Sequence, residues 1–227
     1  LEEEKPPLKL LTTSDGSQTI LNEVLGSTYH SRHGAVTESE HVFIEAGLKK
    51  KFASEPKSLS ILEMGFGTGL NALLTFRTVQ SAVVRVNYEA LELFPVPTEI
   101  WHNYQLPNEL AGLENVYRRM HQTSWNEAAE LADGFSLTKH QVSLLSFNPE
   151  TTFDIVYFDA FEPETQPELW TQEVFARLFS WFNPGGVLTT YCCKGDVRRA
   201  MLAAGFLVEK LPGPPRKREM IRATRPL

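Results

Sequence analysis

The sequence predicts an α/β sandwich built on a mostly parallel sheet. Three observations carry that expectation. From residue 54 onward, short apolar runs alternate with segments of helical periodicity. One run, Ser60-Ile61-Leu62-Glu63-Met64, ends in Gly65-Phe66-Gly67-Thr68-Gly69, and a helix-forming segment starts at Leu70. A second run, Phe153 to Phe161, has the continuous apolar character of a parallel strand buried on both faces, and it delivers Asp159 to its C-terminal end. In such sheets ligands sit at the carboxyl ends of the strands.

Taken in order, residues 1–53 read as an N-terminal hairpin and helix that close the site, and residues 54–227 as the main domain. Lys9 to Val24 holds two β-prone runs around Asp15-Gly16, a hairpin turn. Tyr29 to Gly34 is loop-like, and Glu38 to Lys51 is helical, with Thr37 as the expected cap and Glu40 in the reciprocal position. Ser54-Glu55-Pro56-Lys57 separates that helix from the first central strand, Leu59 to Met64. The next helix, Leu70 to Gln80, places Leu70, Leu73, Leu74 and Val79 on one face. The second strand, Val83 to Glu89, ends in a carboxylate. Thr98 to Gln105 and most of Glu109 to Asp133, including Trp125, read as helix. Phe135 to Thr138 is the third strand and Phe153 to Phe158 lies in the fourth. A helix from Trp170 to Phe182 and a turn at Asn183-Pro184-Gly185-Gly186 precede the fifth strand, Val187 to Tyr191. A helix from Asp196 to Ala204 stops at Gly205, and Phe206 to Leu211 is the sixth strand. Pro212-Gly213-Pro214-Pro215 is too short for a parallel crossover, so the seventh strand, Glu219 to Thr224, is expected to be antiparallel.

Composition bounds the function. A 227-residue chain suits one domain with a sizeable core. No apolar run approaches a membrane span, and residues 1–9 have no signal-peptide centre. Cys192 and Cys193 are adjacent and form neither a disulfide framework nor a zinc site, which points to a reduced, cytoplasmic setting. The histidines at 30, 33 and 41 lack metal-ligand geometry, so no metal is expected. The net charge of −6 argues against a protein that coats nucleic acid, although Arg216, Lys217, Arg218, Arg222 and Arg225 form a local basic cluster.

The glycine spacing is Gly-x-Gly-x-Gly, with Leu70 where a dinucleotide fingerprint needs its third glycine. With Glu63 in front, it resembles motif I of the class I S-adenosylmethionine (SAM)-dependent methyltransferases. Glu89, twenty residues beyond Gly69, is then placed to accept hydrogen bonds from both ribose hydroxyls.

More particular elements narrow the resemblance. These are Thr13-Ser14-Asp15-Gly16-Ser17, Tyr29-His30-Ser31, Asp159-Ala160-Phe161-Glu162-Pro163, Glu168-Leu169-Trp170 and Lys217-Arg218-Glu219-Met220. Over most of its length the chain resembles the bacterial tRNA wobble-uridine methyltransferases that turn 5-aminomethyl-2-thiouridine into 5-methylaminomethyl-2-thiouridine. The resemblance implies a class I methyltransferase sandwich with a seven-stranded sheet, SAM as cofactor and tRNA as substrate. It also implies a separate FAD-dependent oxidoreductase acting upstream, since this chain is too short to hold that half. Glu63, Gly65, Phe66, Gly67, Thr68, Gly69, Asn71, Glu89 and Asp159 are the expected cofactor contacts. Where the family often has Gly-Asp after the third strand, this chain has His140-Gln141; either Gln141 substitutes through its amide or the adenine contacts differ. Asp159 is the expected acceptor of the amine proton. Tyr29, His30, Glu38, Phe161, Pro163 and Trp170 are expected around the uridine, with Trp170 either core or a stacking surface for the base. Lys217 and Arg218 are the expected phosphate contacts. A methyltransferase for a small amine or a protein shares the glycine loop and the ribose acid, and the intact loop argues against a non-catalytic module.

Overall fold

The computed structural model describes residues 7–227. The acidic start of the N-terminal extension, residues 1–6, lies outside the described residues.

Strands β1 (Leu8–Thr12), β2 (Gln18–Asn22) and β3 (Ser27–Thr28) form a small antiparallel sheet, so the expected hairpin gains a short third strand. Asp15-Gly16 makes the turn: Gly16 takes φ +82°, and the Asp15 carboxylate accepts from the hydroxyls of Thr13 and Ser17 at 2.6 Å. The helix that follows begins earlier than the sequence predicts. α1 (Ala35–Ser39) starts at Gly34, with φ +155°, and Thr37 lies inside it. A Cβ on Gly34 would stand 2.5 Å from the Asp15 carboxylate, so any other residue here strains the backbone and pushes that carboxylate out of the turn. Thr37 donates its hydroxyl to Asp15, and Glu40 pairs with Arg77 instead of closing a capping box. α1 continues as a π-helical stretch, Glu40–Leu48, and ends as α2 (Lys49–Phe52).

The main sheet comprises β4 (Ser58–Met64), β5 (Arg85–Leu91), β6 (Ala128–Ala132), β7 (Phe135–His140), β8 (Phe153–Phe158), β9 (Phe182–Thr190), β10 (Leu207–Pro212) and β11 (Glu219–Thr224). Their order is β10-β11-β9-β8-β4-β5-β7-β6. The run from β9 to β7 is parallel throughout. β11 is antiparallel to both β9 and β10, as the short proline link predicts. The eighth strand is β6, antiparallel to β7 in a segment read as helix. Its Ala-Ala-Glu-Leu-Ala composition favours a helix, and pairing with β7 overrides that weak local preference. Asn183-Pro184-Gly185-Gly186 is an irregularity inside β9 rather than a turn before it.

α1–α2, α3 (Leu70–Val79), α4 (Thr98–Asn103) and α5 (Glu114–Gln122) cover one face of the sheet; α6 (Gln172–Ser180) and α7 (Gly195–Ala203) cover the other. The strand period of two sorts β4 between them. Leu59 and Ile61 join the α3-side core, and Leu62 and Met64 the α6-side core. Each such buried side chain contributes about 1.5–3 kcal/mol. Glu63 has the parity of Ile61, so it points under α3 among Tyr88 and Tyr157. Trp125 lies outside any helix and bridges to Lys139 of β7. Among the described residues no helix is long and apolar enough to cross a membrane.

Candidate active site

A cleft of about 850 Å³ opens at the carboxyl ends of β4, β5 and β8. That volume suits a drug-sized or nucleoside-sized ligand. Its floor is the glycine turn. Gly65 and Gly67 adopt φ +86° and +50°, conformations that glycine takes at no steric cost. A Cβ on Gly67 would stand 2.9 Å from the Tyr29 ring, so the N-terminal segment packs onto bare backbone there. Gly69 begins α3 with φ +74°.

β5 is longer than the sequence reading allowed, and this moves the acid that faces the cleft. Glu89 lies inside the strand, where its carboxylate accepts from His140 Nε2 at 2.7 Å and from Thr151 at 3.3 Å. It does not line the cleft. Glu92, one residue past the strand, does: it accepts the Gly67 amide at 3.1 Å and the Phe94 amide at 2.9 Å. Burial pushes its carboxyl above the usual range, against the pull of those amides. The sequence reading missed Glu92 because the strand was ended at the first carboxylate. The signal was present in Leu91-Glu92-Leu93-Phe94-Pro95, an acid directly before a proline-interrupted loop.

Asp159 follows β8 directly and lines the cleft beside Gly65. Asn71, in the first turn of α3, donates Nδ2 to Asp159 Oδ2 at 2.9 Å. Burial raises the Asp159 carboxyl well above the usual carboxylate range; the Asn71 donor and the Lys217 charge oppose this, and Glu38 adds to it. Phe161 and Tyr29 meet edge to face, centroids 5.3 Å apart, and join two segments more than a hundred residues apart into one wall.

The tail closes a further side. Lys217 Nζ lies 2.5 Å from Glu38 Oε1 and 4.3 Å from the centre of the Tyr191 ring. Tyr191, which the sequence places at the end of the fifth strand but not among the site residues, donates its hydroxyl to the Ala160 carbonyl at 2.9 Å. His30 lines the cleft with a buried, unpartnered Nδ1, and burial lowers its pKa to about 4.

Of the expected site residues, the cleft gathers Tyr29, His30, Glu38, Gly65, Phe66, Gly67, Asn71, Asp159, Phe161 and Lys217. The others lie elsewhere. Glu63 is fully buried beneath the floor. Thr68 and Gly69 belong to the turn and the start of α3 rather than the lining. Gln141 is exposed, and Val142, Ser143 and Leu144 line the wall in its place, so the strand delivers its neighbours and turns the amide outward. Pro163 is half-buried outside the cleft. Trp170 is core, donating Nε1 to the Phe161 carbonyl at 2.8 Å, and has no face free for a base. Arg218 is exposed and away from the cleft. Among the described residues no group of three or more His, Cys, Asp or Glu could hold a metal ion.

The sequence profile of an S-adenosyl-L-methionine-dependent methyltransferase family matches residues 116–226. The chain is similar to the tRNA 5-methylaminomethyl-2-thiouridine biosynthesis bifunctional proteins MnmC of Chromohalobacter salexigens, 30% identical over 95% of this chain and 32% of that one. It is also similar to MnmC of Pseudomonas paraeruginosa, 32% identical over 90% of this chain and 33% of that one. The crystal structure of MnmC2 from Aquifex aeolicus superposes with a TM-score of 0.82 and 25% identity, covering 100% of this chain and 74% of that one. The chain is thus similar over nearly its whole length to the MnmC proteins, and its second half matches a SAM-dependent methyltransferase family. It spans about a third of the length of the MnmC proteins it matches.

The cofactor of this family is SAM, and the cleft fits it. The glycine turn leaves a cradle that a Cβ at Gly67 would fill, and Glu92 supplies a carboxylate for hydroxyl donors beside it. The family's glycine loop, N-terminal wall and Asp159 segment surround one cavity.

Proposed function

We propose that the chain transfers a methyl group from SAM to the primary amine of 5-aminomethyl-2-thiouridine at the tRNA wobble position. The observation that carries this reading is the edge contact of Tyr29 with Phe161, which gathers the Tyr-His-Ser and Asp-Ala-Phe segments on one wall beside Asp159. The relatives named for 5-methylaminomethyl-2-thiouridine biosynthesis support it.

When bound, SAM supplies an electrophilic methyl on a sulfonium that leaves as a neutral thioether. Gly65, Phe66 and Gly67 hold that cofactor, and Glu92, in place of Glu89, accepts its ribose hydroxyls. Asp159 accepts a proton from the amine and orients its lone pair toward the methyl. The enzyme's main contribution is to align the two groups and exclude water. Tyr29 and Phe161 supply the apolar wall, and Glu38 with Lys217 bounds the pocket beyond Asp159. Within the expected 1–53 extension, the described residues 7–53 act as the part that closes over the site of the 54–227 domain. An upstream FAD-dependent oxidoreductase supplies the amine, and the enzyme works in the cytoplasm, where its tRNA is. Nucleoside mass spectrometry after incubation with SAM tests the proposal. Aminomethylated tRNA should gain one methyl and small amines none; methylation of small amines with inert tRNA would refute it.

A further inference from the structure

Asp159 and Tyr191 leave neighbouring strands side by side. β8 and β9 pair in parallel at Tyr157 and Thr189. Carried two residues on, that register sets Asp159 opposite Tyr191, and the strand period of two puts both side chains on one face. Both line the cleft. The Tyr191 hydroxyl donates to the carbonyl of Ala160, the residue after Asp159, at 2.9 Å. Burial, and after it the Asp159 charge, keeps the phenol protonated. Its one hydrogen is therefore committed, and toward a ligand its oxygen can only accept. Asp159 is arranged alike: Oδ2 takes Asn71 Nδ2 at 2.9 Å, and Oδ1 meets no donor among the described residues. A primary amine carries two N–H groups and one lone pair, so two acceptors fix the direction of that lone pair.

We propose that Tyr191 is a second amine-binding residue: its hydroxyl oxygen and Asp159 Oδ1 take the two N–H groups, and this pairing limits the enzyme to one methyl per amine. The inference rests on the proposed aminomethyl substrate. The nitrogen lone pair forms the N–C bond as the C–S bond breaks and its electrons stay on sulfur; the surplus proton passes to Asp159. The product is a secondary amine with one N–H. Asp159 must take that hydrogen in any second transfer, so the new methyl faces the Tyr191 oxygen and strips it of water without replacing the bond. A site built to bond an N–H discriminates strongly against an analogue that lacks it. The ring has a separate contact, Lys217 Nζ at 4.3 Å from its centre, which Tyr191→Phe preserves. Trp170 supplies the control. It donates Nε1 to the next carbonyl, that of Phe161, at 2.8 Å, and its ring meets the Tyr191 ring edge to face at 6.4 Å. Trp170→Phe thus loosens the same segment without removing an acceptor from the cleft.

The test incubates two tRNAs with SAM, one carrying the aminomethyl and one the methylaminomethyl uridine, and reads the nucleosides by mass spectrometry. The wild type should add one methyl to the first and none to the second. Tyr191→Phe should lower kcat/KM on the first about 10- to 100-fold, keep SAM affinity within about threefold by calorimetry, and form a dimethylated nucleoside. Trp170→Phe should form none. Should it fail to fold, Gln166→Ala is the same control, because it frees the Phe161 amide that Gln166 Oε1 accepts at 3.1 Å. A Tyr191→Phe enzyme that forms no dimethylated product, or a control variant that forms as much, would overturn the inference. A wild type that dimethylates would overturn this inference alone; one inert toward both tRNAs would overturn the substrate reading with it.

Discussion

Lys217 Nζ sits 2.5 Å from Glu38 Oε1, across 179 residues of chain. A lysine in a basic cluster of the sequence is thus spent on a cleft carboxylate instead of facing a phosphate. The two neighbours Lys217 and Arg218 should therefore separate in experiment. Lys217→Ala leaves the buried Glu38 without its counter-charge, holding only the Ser31 amide, and should cost about 1–3 kcal/mol of stability, between the exposed and buried limits for ion pairs. Its kcat/KM should fall while the salt dependence of tRNA binding holds. Arg218→Ala should preserve kcat and reduce the slope of log affinity against log salt by about one. Equal loss of slope in both variants, measured by filter binding, would return Lys217 to the phosphate contacts.

Glu92 and Glu89 give an equally direct contrast. A charge-assisted hydrogen bond is worth about 1.5–3 kcal/mol, so Glu92→Gln should weaken SAM binding roughly 10- to 100-fold by calorimetry. Glu89→Gln should leave it within about threefold, because that carboxylate is turned toward His140 and Thr151. The reverse ranking would reinstate Glu89.

Asp159→Asn should lower kcat by about 10²- to 10⁴-fold while SAM affinity persists. The pH profile follows from burial. Asp159 must be ionised to accept a proton, and its carboxyl is raised. The wild-type rate should therefore fall on acidification with a midpoint above the ordinary carboxylate range, and Asp159→Asn should lack that limb. A profile identical in both proteins would remove Asp159 as proton acceptor.

Two buried histidines, His30 and His121, have pKa values lowered by burial from 6.5 to about 4. Between those values the unfolded chain binds the proton and the native protein does not, so stability falls as pH drops from about 6.5 and the loss levels off below about 4. The limit is roughly 3 kcal/mol per histidine. Glu63, Glu92 and Asp159 work in the opposite direction, since their raised carboxyls take protons first in the native state. The wild-type curve mixes both signs, and the difference between wild type and His121→Gln isolates one. Urea denaturation should show a smaller acid loss in His121→Gln; parallel curves would mean His121 is not neutral in the fold.

Gly67→Ala should destabilise by about 1–3 kcal/mol and weaken SAM binding, since its Cβ meets Tyr29 at 2.9 Å. Adding Tyr29→Ala relieves the clash but not the φ of +50°. The double variant should recover part of the stability in thermal melts; no recovery would assign the whole cost to backbone strain.

Much of this arrangement was legible in the residues. The central parallel strands, the glycine turn, the antiparallel final strand and Asp159 at the end of β8 follow from period and turn chemistry, which act locally. The differences have a common cause: long-range contacts override local preference at these positions. Ala128–Ala132 favours helix and becomes a strand because β7 offers an edge. Glu89 looked terminal because its strand partner, Thr138 of β7, is invisible in the sequence, and pairing in fact continues to Leu91 and His140. Trp170 was correctly allowed as core, and what fixed it there was the Phe161 carbonyl rather than helix periodicity. Lys217 looked like surface because its carboxylate partner lies 179 positions earlier.

The placement of β11 has an outcome for biogenesis. This strand is the last in the described fold, yet it is inserted between β9 and β10, and β10 touches the sheet only through it. While the ribosome is still building residue 219, β9 presents an open hydrogen-bonding edge and β10 has no neighbour. The cleft wall carrying Lys217 cannot lock against Glu38 until that edge is filled. Assembly of the binding-competent cleft therefore waits for β11 to leave the ribosome, and nascent chains stalled short of this point should be the ones that chaperones and proteases encounter.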